Sequence, residues 1–164
     1  MSAPYIVSGQ GVTIIANGEL VTLRAATAWT SRGSLLEILR MKASQRSATT
    51  SAQLGMRWGL KASAFGTFTA ATPVPTVLGA AASALTGSTS NAAASAGVNA
   101  SANGAGTLTV MDQEEFNNLT GFLWIPTPEE RIIVGPDQTF VMQLQGTPSA
   151  LTLWTFSVLF RELN

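Results

Sequence analysis

At 164 residues the chain has the length of a single domain, enough to bury roughly 70% of the surface that its unfolded form exposes. It contains no Cys and no His, which excludes a disulfide framework, thiolate chemistry, serine–histidine triads and histidine-ligated metal within one chain, and fits assembly in a reducing cytoplasm. Nine basic and nine acidic groups cancel, unlike the net basic balance of most nucleic-acid proteins, and no run approaches the ~18 apolar residues of a membrane helix.

The start, Met-Ser-Ala-Pro-Tyr, shows neither the basic region nor the apolar core of a secretory signal. Residues 4–7 read as a short edge strand or as an arm lying on a neighbouring subunit, broken by Gly9-Gln-Gly11. Residues 12–15 are a second apolar run. Asn17-Gly18 is a hairpin signal, because both residues tolerate positive φ. Residues 20–26 alternate as a strand, and 30–34 form a loop. Residues 34–44 fit two patterns. Ser34 with Glu37 spells a helix capping box, with Leu35, Ile38 and Leu39 on one face, whereas Glu37, Leu39, Met41 and Ala43 alternate as in a strand. The flanking strands favour the second. Residues 51–61 alternate without a fault, Ala52, Leu54, Met56, Trp58 and Leu60 against Gln53, Gly55, Arg57, Gly59 and Lys61. That predicts a half-buried strand with a polar, basic outer face.

Beyond Ala62 the pattern changes. Phe65 to Phe68 and Pro73-Val-Pro75 read as an extended crossover. Residues 79–107 are almost wholly Ala, Ser, Gly, Asn and Thr, with too little apolar surface for a core. They are expected to form a long inserted loop, either flexible at the surface or ordered by lying along another subunit or the lattice below, to which it would then fasten the protein. Residues 108–110 resume a strand, and 112–117 are expected to make a helical turn capped by Asp112. Phe122, Leu123, Trp124 and Ile125 suit a strand buried on both faces, stopped by Pro126 and Pro128. Ile132-Ile133-Val134 is the next strand, cut off by Gly135-Pro136-Asp137. Residues 139–145 alternate, and 151–161 form the longest strand candidate. Leu54, Met56, Trp58, Phe140, Met142, Leu144, Trp154, Phe156 and Val158 are the expected core. Short strands between tight turns make an all-β sandwich or barrel.

Four features carry a resemblance: Trp124-Ile-Pro-Thr-Pro-Glu-Glu-Arg131, the Gly-Pro-Asp turn, Thr139-Phe-Val-Met-Gln-Leu144, and a last strand ending Arg161-Glu-Leu163. Together they resemble the small jelly-roll proteins that decorate or cement the heads of tailed bacteriophages. The resemblance covers 121–163, is looser over 21–61, and fails in the middle of the chain. It implies an all-β, antiparallel two-sheet β-sandwich of jelly-roll type, one domain over 1–164 with the low-complexity loop inserted at about 79–107. It also implies a structural virion protein that bridges shell subunits on the outer capsid surface. Its partners would be the major capsid protein lattice and itself, as a homotrimer, with neither nucleic acid nor membrane. The alternative role is a tail or neck component, or a host-glycan or receptor-binding module.

Candidate chemistry is sparse. Asp112, Glu114, Glu115, Glu129 and Glu130 are carboxylates of the kind used in glycoside hydrolysis or calcium binding, but none has calcium-loop spacing, and solvated turns suit them better. Trp29, Trp58, Trp124 and Trp154 are candidates for stacking on sugars. All but Trp29 sit in apolar strand patterns and read as core. The basic set Arg40, Lys42, Arg46, Arg57 and Lys61 lacks the interleaved aromatics of a nucleic-acid surface, and Gly104-Ala-Gly106 lacks the strand-to-helix setting of a phosphate loop. No catalytic, cofactor-binding or metal-ligating residue is therefore assigned, and neither enzyme activity nor a cofactor is expected. The charges are segregated. Residues 1–61 hold seven basic groups against Glu19 and Glu37 (+5), 62–111 hold none, and 112–164 hold seven acids against Arg131 and Arg161 (−5). These ends are expected to meet head-to-tail between copies or to pair within one subunit.

Overall fold

Strand pairing in this chain is nested from the ends inward. In the computed structural model, which describes residues 3–46, 48–62, 66–90, 92–104 and 106–163, β1 (Pro4–Val12) pairs with β13 (Trp154–Glu162). Within that pair, β2 (Glu19–Arg24) joins β12 (Thr139–Gln145). Next, β3 (Leu36–Gln45) joins β10 (Phe122–Trp124) and β11 (Ile133–Val134). Innermost, β4 (Gln53–Lys61) joins β9 (Thr109–Asn117). All of these pairs are antiparallel. They are distributed over two packed sheets, one containing β10–β3–β13–β1 and the other β2–β12–β4–β9. First with last, second with second-last, and so inward across two sheets is the jelly-roll arrangement. The described residues contain no α-helix, and none of their helices is long and apolar enough to cross a membrane. One 3-10 turn, Pro128–Glu130, precedes β11.

The expected core forms as the alternation requires. Leu54, Met56, Trp58, Phe140, Met142, Leu144, Trp154, Phe156 and Val158 are all buried in one cluster between the sheets. The ambiguous segment is strand β3, and its helix-like spacing has a cause. The register with β13 shifts between Leu159 and Phe160, so the buried face steps from Ile38 to Met41 across a bulge. Gly9 does not break β1. It lies opposite Phe156, whose ring would sit 2.7 Å from a Cβ at that position, so glycine there makes room for the ring. Residues 4–7 pair with β13 of the same chain, with Tyr5 and Val7 in its own core.

Several expectations are corrected. Asn17 does adopt positive φ, but its turn carries the chain from one sheet to the other and closes no hairpin. Phe122 is buried while Leu123 and Ile125 are exposed, because β10 is an edge strand with one covered face. Residues 112–117 continue β9 and make no helical turn, since Phe116 pairs across to Leu54 in the β4 ladder. Lys61 is not on a solvated basic face. It is buried and ion-paired to Glu19 of β2, across the outer side of β12.

The largest departure lies in the insertion between β4 and β9. It holds β5 (Thr67–Ala70), β6 (Val74–Pro75), β7 (Thr86–Gly87) and β8 (Ser95–Ala102). Residues 79–107 are thus not loop throughout. β8 lies within the second sheet, between β2 and β5, with Ala96, Val98 and Ala100 buried. β7 runs parallel to β8, and β6 pairs with β1 at the edge of the first sheet. Phe65 lies outside the described residues. We expect Phe156→Ala to cost ~3–5 kcal/mol and Val98→Asp at least ~2 kcal/mol, read from urea midpoints. A near-neutral Val98→Asp would show that 95–102 does not belong to the sheet.

Candidate functional site

The insertion makes the two sides of the sandwich unlike. On one side it adds β6 to β1 and β8 to β2. Hydrogen bonds from both the sandwich and the insertion tie it down. Tyr5 Oη donates to the Ala81 carbonyl at 3.1 Å, and the Thr76 N–H donates to the Pro4 carbonyl at 2.9 Å. The buried Glu162 carboxylate accepts from Ser83 Oγ at 2.6 Å and the Ala84 N–H at 2.8 Å, and pairs with Arg32. Asn103 bridges the Glu19 N–H and the Asn17 carbonyl at the far end.

The opposite side stays open. There β9 and β10 end their sheets, and no described strand covers them. Residues 109–115 of β9 are exposed. Large apolar side chains stand out along this side: Met111 (52%), Leu123 (59%), Ile125 (65%) and Ile133 (47%) are exposed to these extents. Between the two edges lies a cleft of about 260 Å³ lined by Trp58, Met111, Asp112, Trp124, Glu130 and Ile132.

Local rules place each wall of the cleft. The β4–β9 register shifts so that Trp58 faces Asp112 and Gly59 faces Val110, leaving Met111 as the extra residue of a bulge. Gly59 permits this close approach, since a Cβ there would lie 2.0 Å from the Thr109 carbonyl oxygen. The floor is aromatic. Trp58 and Trp124 have ring centroids 5.4 Å apart at 50°, and Trp58 leans on Phe122, which leans on Phe116. Glu130 stands on the 3-10 turn, where its Oε2 accepts from the N–H and the hydroxyl of Thr127 at 3.3 and 3.2 Å. Asp112 Oδ1 accepts from the Gln113 N–H at 2.8 Å.

The turn bearing Glu130 is fastened to the sheet through its next residue. Arg131 donates to Glu37 Oε1 at 3.2 Å, and Arg161 of β13 donates to Glu37 Oε2 at 2.9 Å through Nε and again through Nη2. Burial by itself pushes the Glu37 carboxyl up. The hydrogen bonds and positive charges of Arg161 and Arg131 outweigh that and hold it below its ordinary value of 4.5.

The structure thus brings together four of the sequence candidates, Trp58, Trp124, Asp112 and Glu130, and separates the rest. Glu114, Glu115 and Glu129 do not line the cleft, Trp154 is fully buried, and Trp29 stands exposed on a loop. The basic set is divided between the two sheets: Arg40 and Lys42 lie on β3, whereas Arg57 of β4 donates to Gln143 and Lys61 is buried. The charged ends of the chain meet partly within one subunit, through Arg24–Asp137 and Arg32–Glu162. Met111 and Ile132 complete the cleft unannounced, since nothing in their sequence setting separates them from ordinary strand residues. Among the described residues no group of three potential ligands could hold a metal ion.

Because its folded value lies below the unfolded one, ionised Glu37 contributes stability above the unfolded value. That contribution is lost as pH falls through the folded value. Glu37→Gln should therefore cost ~1–2 kcal/mol at about pH 7, with the two arginines part-exposed, and less at about pH 3. An equal difference at both values, in urea titrations, would contradict this assignment. Compared with protein-family models, curated proteins and solved structures, the chain matches none.

Proposed function

We propose that the chain is a structural virion protein of a tailed bacteriophage. It decorates the outer capsid surface as a homotrimer and bridges shell subunits through the open side of its sandwich. The sequence resemblance over 121–163 supports the virion assignment. The observation that carries the mode of action is the contrast in strand edges: the insertion pairs with β1 and β2 on one side, whereas β9 and β10 end their sheets on the other. Met111, Leu123, Ile125 and Ile133 stand exposed along the open side; Val74, Val77 and Leu78 are exposed on the insertion, so it is the unpaired edges that single out the open side.

The charges around that side suit docking through side chains. Asp112, Glu114 and Glu115 lie along the exposed β9, and acids on an edge strand oppose the addition of another strand. Lys42 sits in register beside Leu123 on the neighbouring strand. Among the described residues Arg40, Lys42 and Arg46 have no carboxylate partner, and Glu114, Glu115 and Glu129 have no cation. Opposite charges left over on one subunit can meet between copies around a closed ring.

The protein should co-purify with phage heads, raise their melting temperature, and scatter light as a trimer. Leu123→Asp with Ile125→Asp touches only exposed positions, so the fold should survive. Its affinity for heads prepared without the protein should fall at least about tenfold, or ~1.4 kcal/mol. Unchanged binding by this folded variant would remove the open side from the proposal.

A further inference from the structure

We propose that the cleft between β9 and β10 is a receptor for an alkylammonium group. This does not depend on the virion reading. Its lining offers two carboxylates, two indoles, a thioether and an aliphatic chain, with no hydroxyl, amide or basic side chain. A sugar ring presents donors and acceptors together and stacks on an open aromatic face. Trp58 is only 1% exposed and offers no such face, and the lining supplies no donor except indole N–H. An ammonium carried on a short alkyl arm matches what is present: anionic acceptors for the charge, and the half-buried Trp124 ring, the Met111 sulfur and Ile132 for the arm.

The carboxylates are also free to serve. Asp112 and Glu130 form no ion pair among the described residues. Each has one oxygen engaged by a local backbone or cap bond, Asp112 Oδ1 by Gln113 and Glu130 Oε2 by Thr127. Their second oxygens, Asp112 Oδ2 and Glu130 Oε1, have no protein partner there. The two acids come from different elements, an edge strand and a 3-10 turn, and both are held by short-range bonds before any ligand arrives. Buried Trp58 packs against Trp124, ring centroids 5.4 Å apart at 50°, and so backs the one indole that the cleft exposes. Such preorganisation lowers the ordering cost of binding. The same group can come from a lysine side chain of a partner protein or from a free small amine.

The test follows the indole N–H resonance of Trp124, assigned with Trp124→Phe, in the full-length protein. Titrants are Nα-acetyl-lysine methylamide, n-butylammonium, the neutral isostere Nα-acetyl-norleucine methylamide, and N-acetylglucosamine. We expect saturable shifts with one or both cations at dissociation constants of about 1 mM, and none with the isostere or the sugar. Tighter binding of the lysine derivative would assign the site to a protein partner, and tighter binding of n-butylammonium would assign it to a free amine. Asp112→Asn with Glu130→Gln keeps the cap at Thr127, and should weaken cation binding at least about tenfold with an unchanged circular-dichroism spectrum. Should that pair unfold, the rise in dissociation constant with added salt in the native protein replaces it. No saturable shift with either cation, equal response to the neutral isostere, or binding of the sugar alone would overturn the proposal.

Discussion

The backbone N–H and C=O groups along a sheet edge have to be paired, covered or solvated, and this requirement governs how the chain is arranged. The eight nested jelly-roll positions leave β1 and β10 at the edges of one sheet, and β2 and β9 at the edges of the other. The insertion between β4 and β9 crosses to the far side and pairs with both β1 and β2. It therefore relieves two edges at once and leaves the other two open. β9 answers its exposure with Asp112, Glu114 and Glu115, and β10 with brevity, three residues ended by Ile125-Pro126. The proposed contact side is the side that the insertion does not reach.

Small residues suffice for this role because backbone pairing does most of the joining. β8 buries Ala96, Val98 and Ala100, modest area at ~25 cal/mol per Å². Its glycine matters by absence, since a Cβ on Gly97 would lie 2.8 Å from Phe68 Cβ on β5. The coil stretches on either side are then held by polar side chains, one from the sandwich proper and one from the insertion. Glu162 at the end of β13 gathers Ser83 and Ala84, and Asn103 ties the far end to the start of β2. A carboxylate buried at a strand end, with three donors on it, is a structural anchor, and no chemistry needs to be assigned to it.

Where strong alternation meets two-sided packing, the fold was legible in the residues themselves. Leu54, Met56 and Trp58, or Phe140, Met142 and Leu144, declare their strands because one face is wholly apolar and buried. β8 was not legible, since Ala, Gly and Asn carry almost no hydrophobic contrast and Asn99 interrupts the extended backbone with positive φ. The 122–125 run misled for the opposite reason: four apolar residues look like a central strand, yet two of them face outward. In β3 a bulge imitated helical spacing. The cleft was half visible. Tryptophans and carboxylates could be named one by one, but their meeting depends on the β9 bulge at Met111 and on Glu37 holding the turn beside Glu130, relations between elements far apart in sequence.

The central claim is that the insertion is an integral part of its own subunit and that contacts with a partner are made on the opposite side. Amide hydrogen exchange on the free protein and on the protein bound to phage heads separates the two regions directly. The account predicts slow exchange over 96–100 in the free protein, unchanged on binding, and new protection over 109–115 and 122–125 in the bound state. Fast exchange over 96–100 in the free protein, with protection appearing there only on the particle, would contradict it.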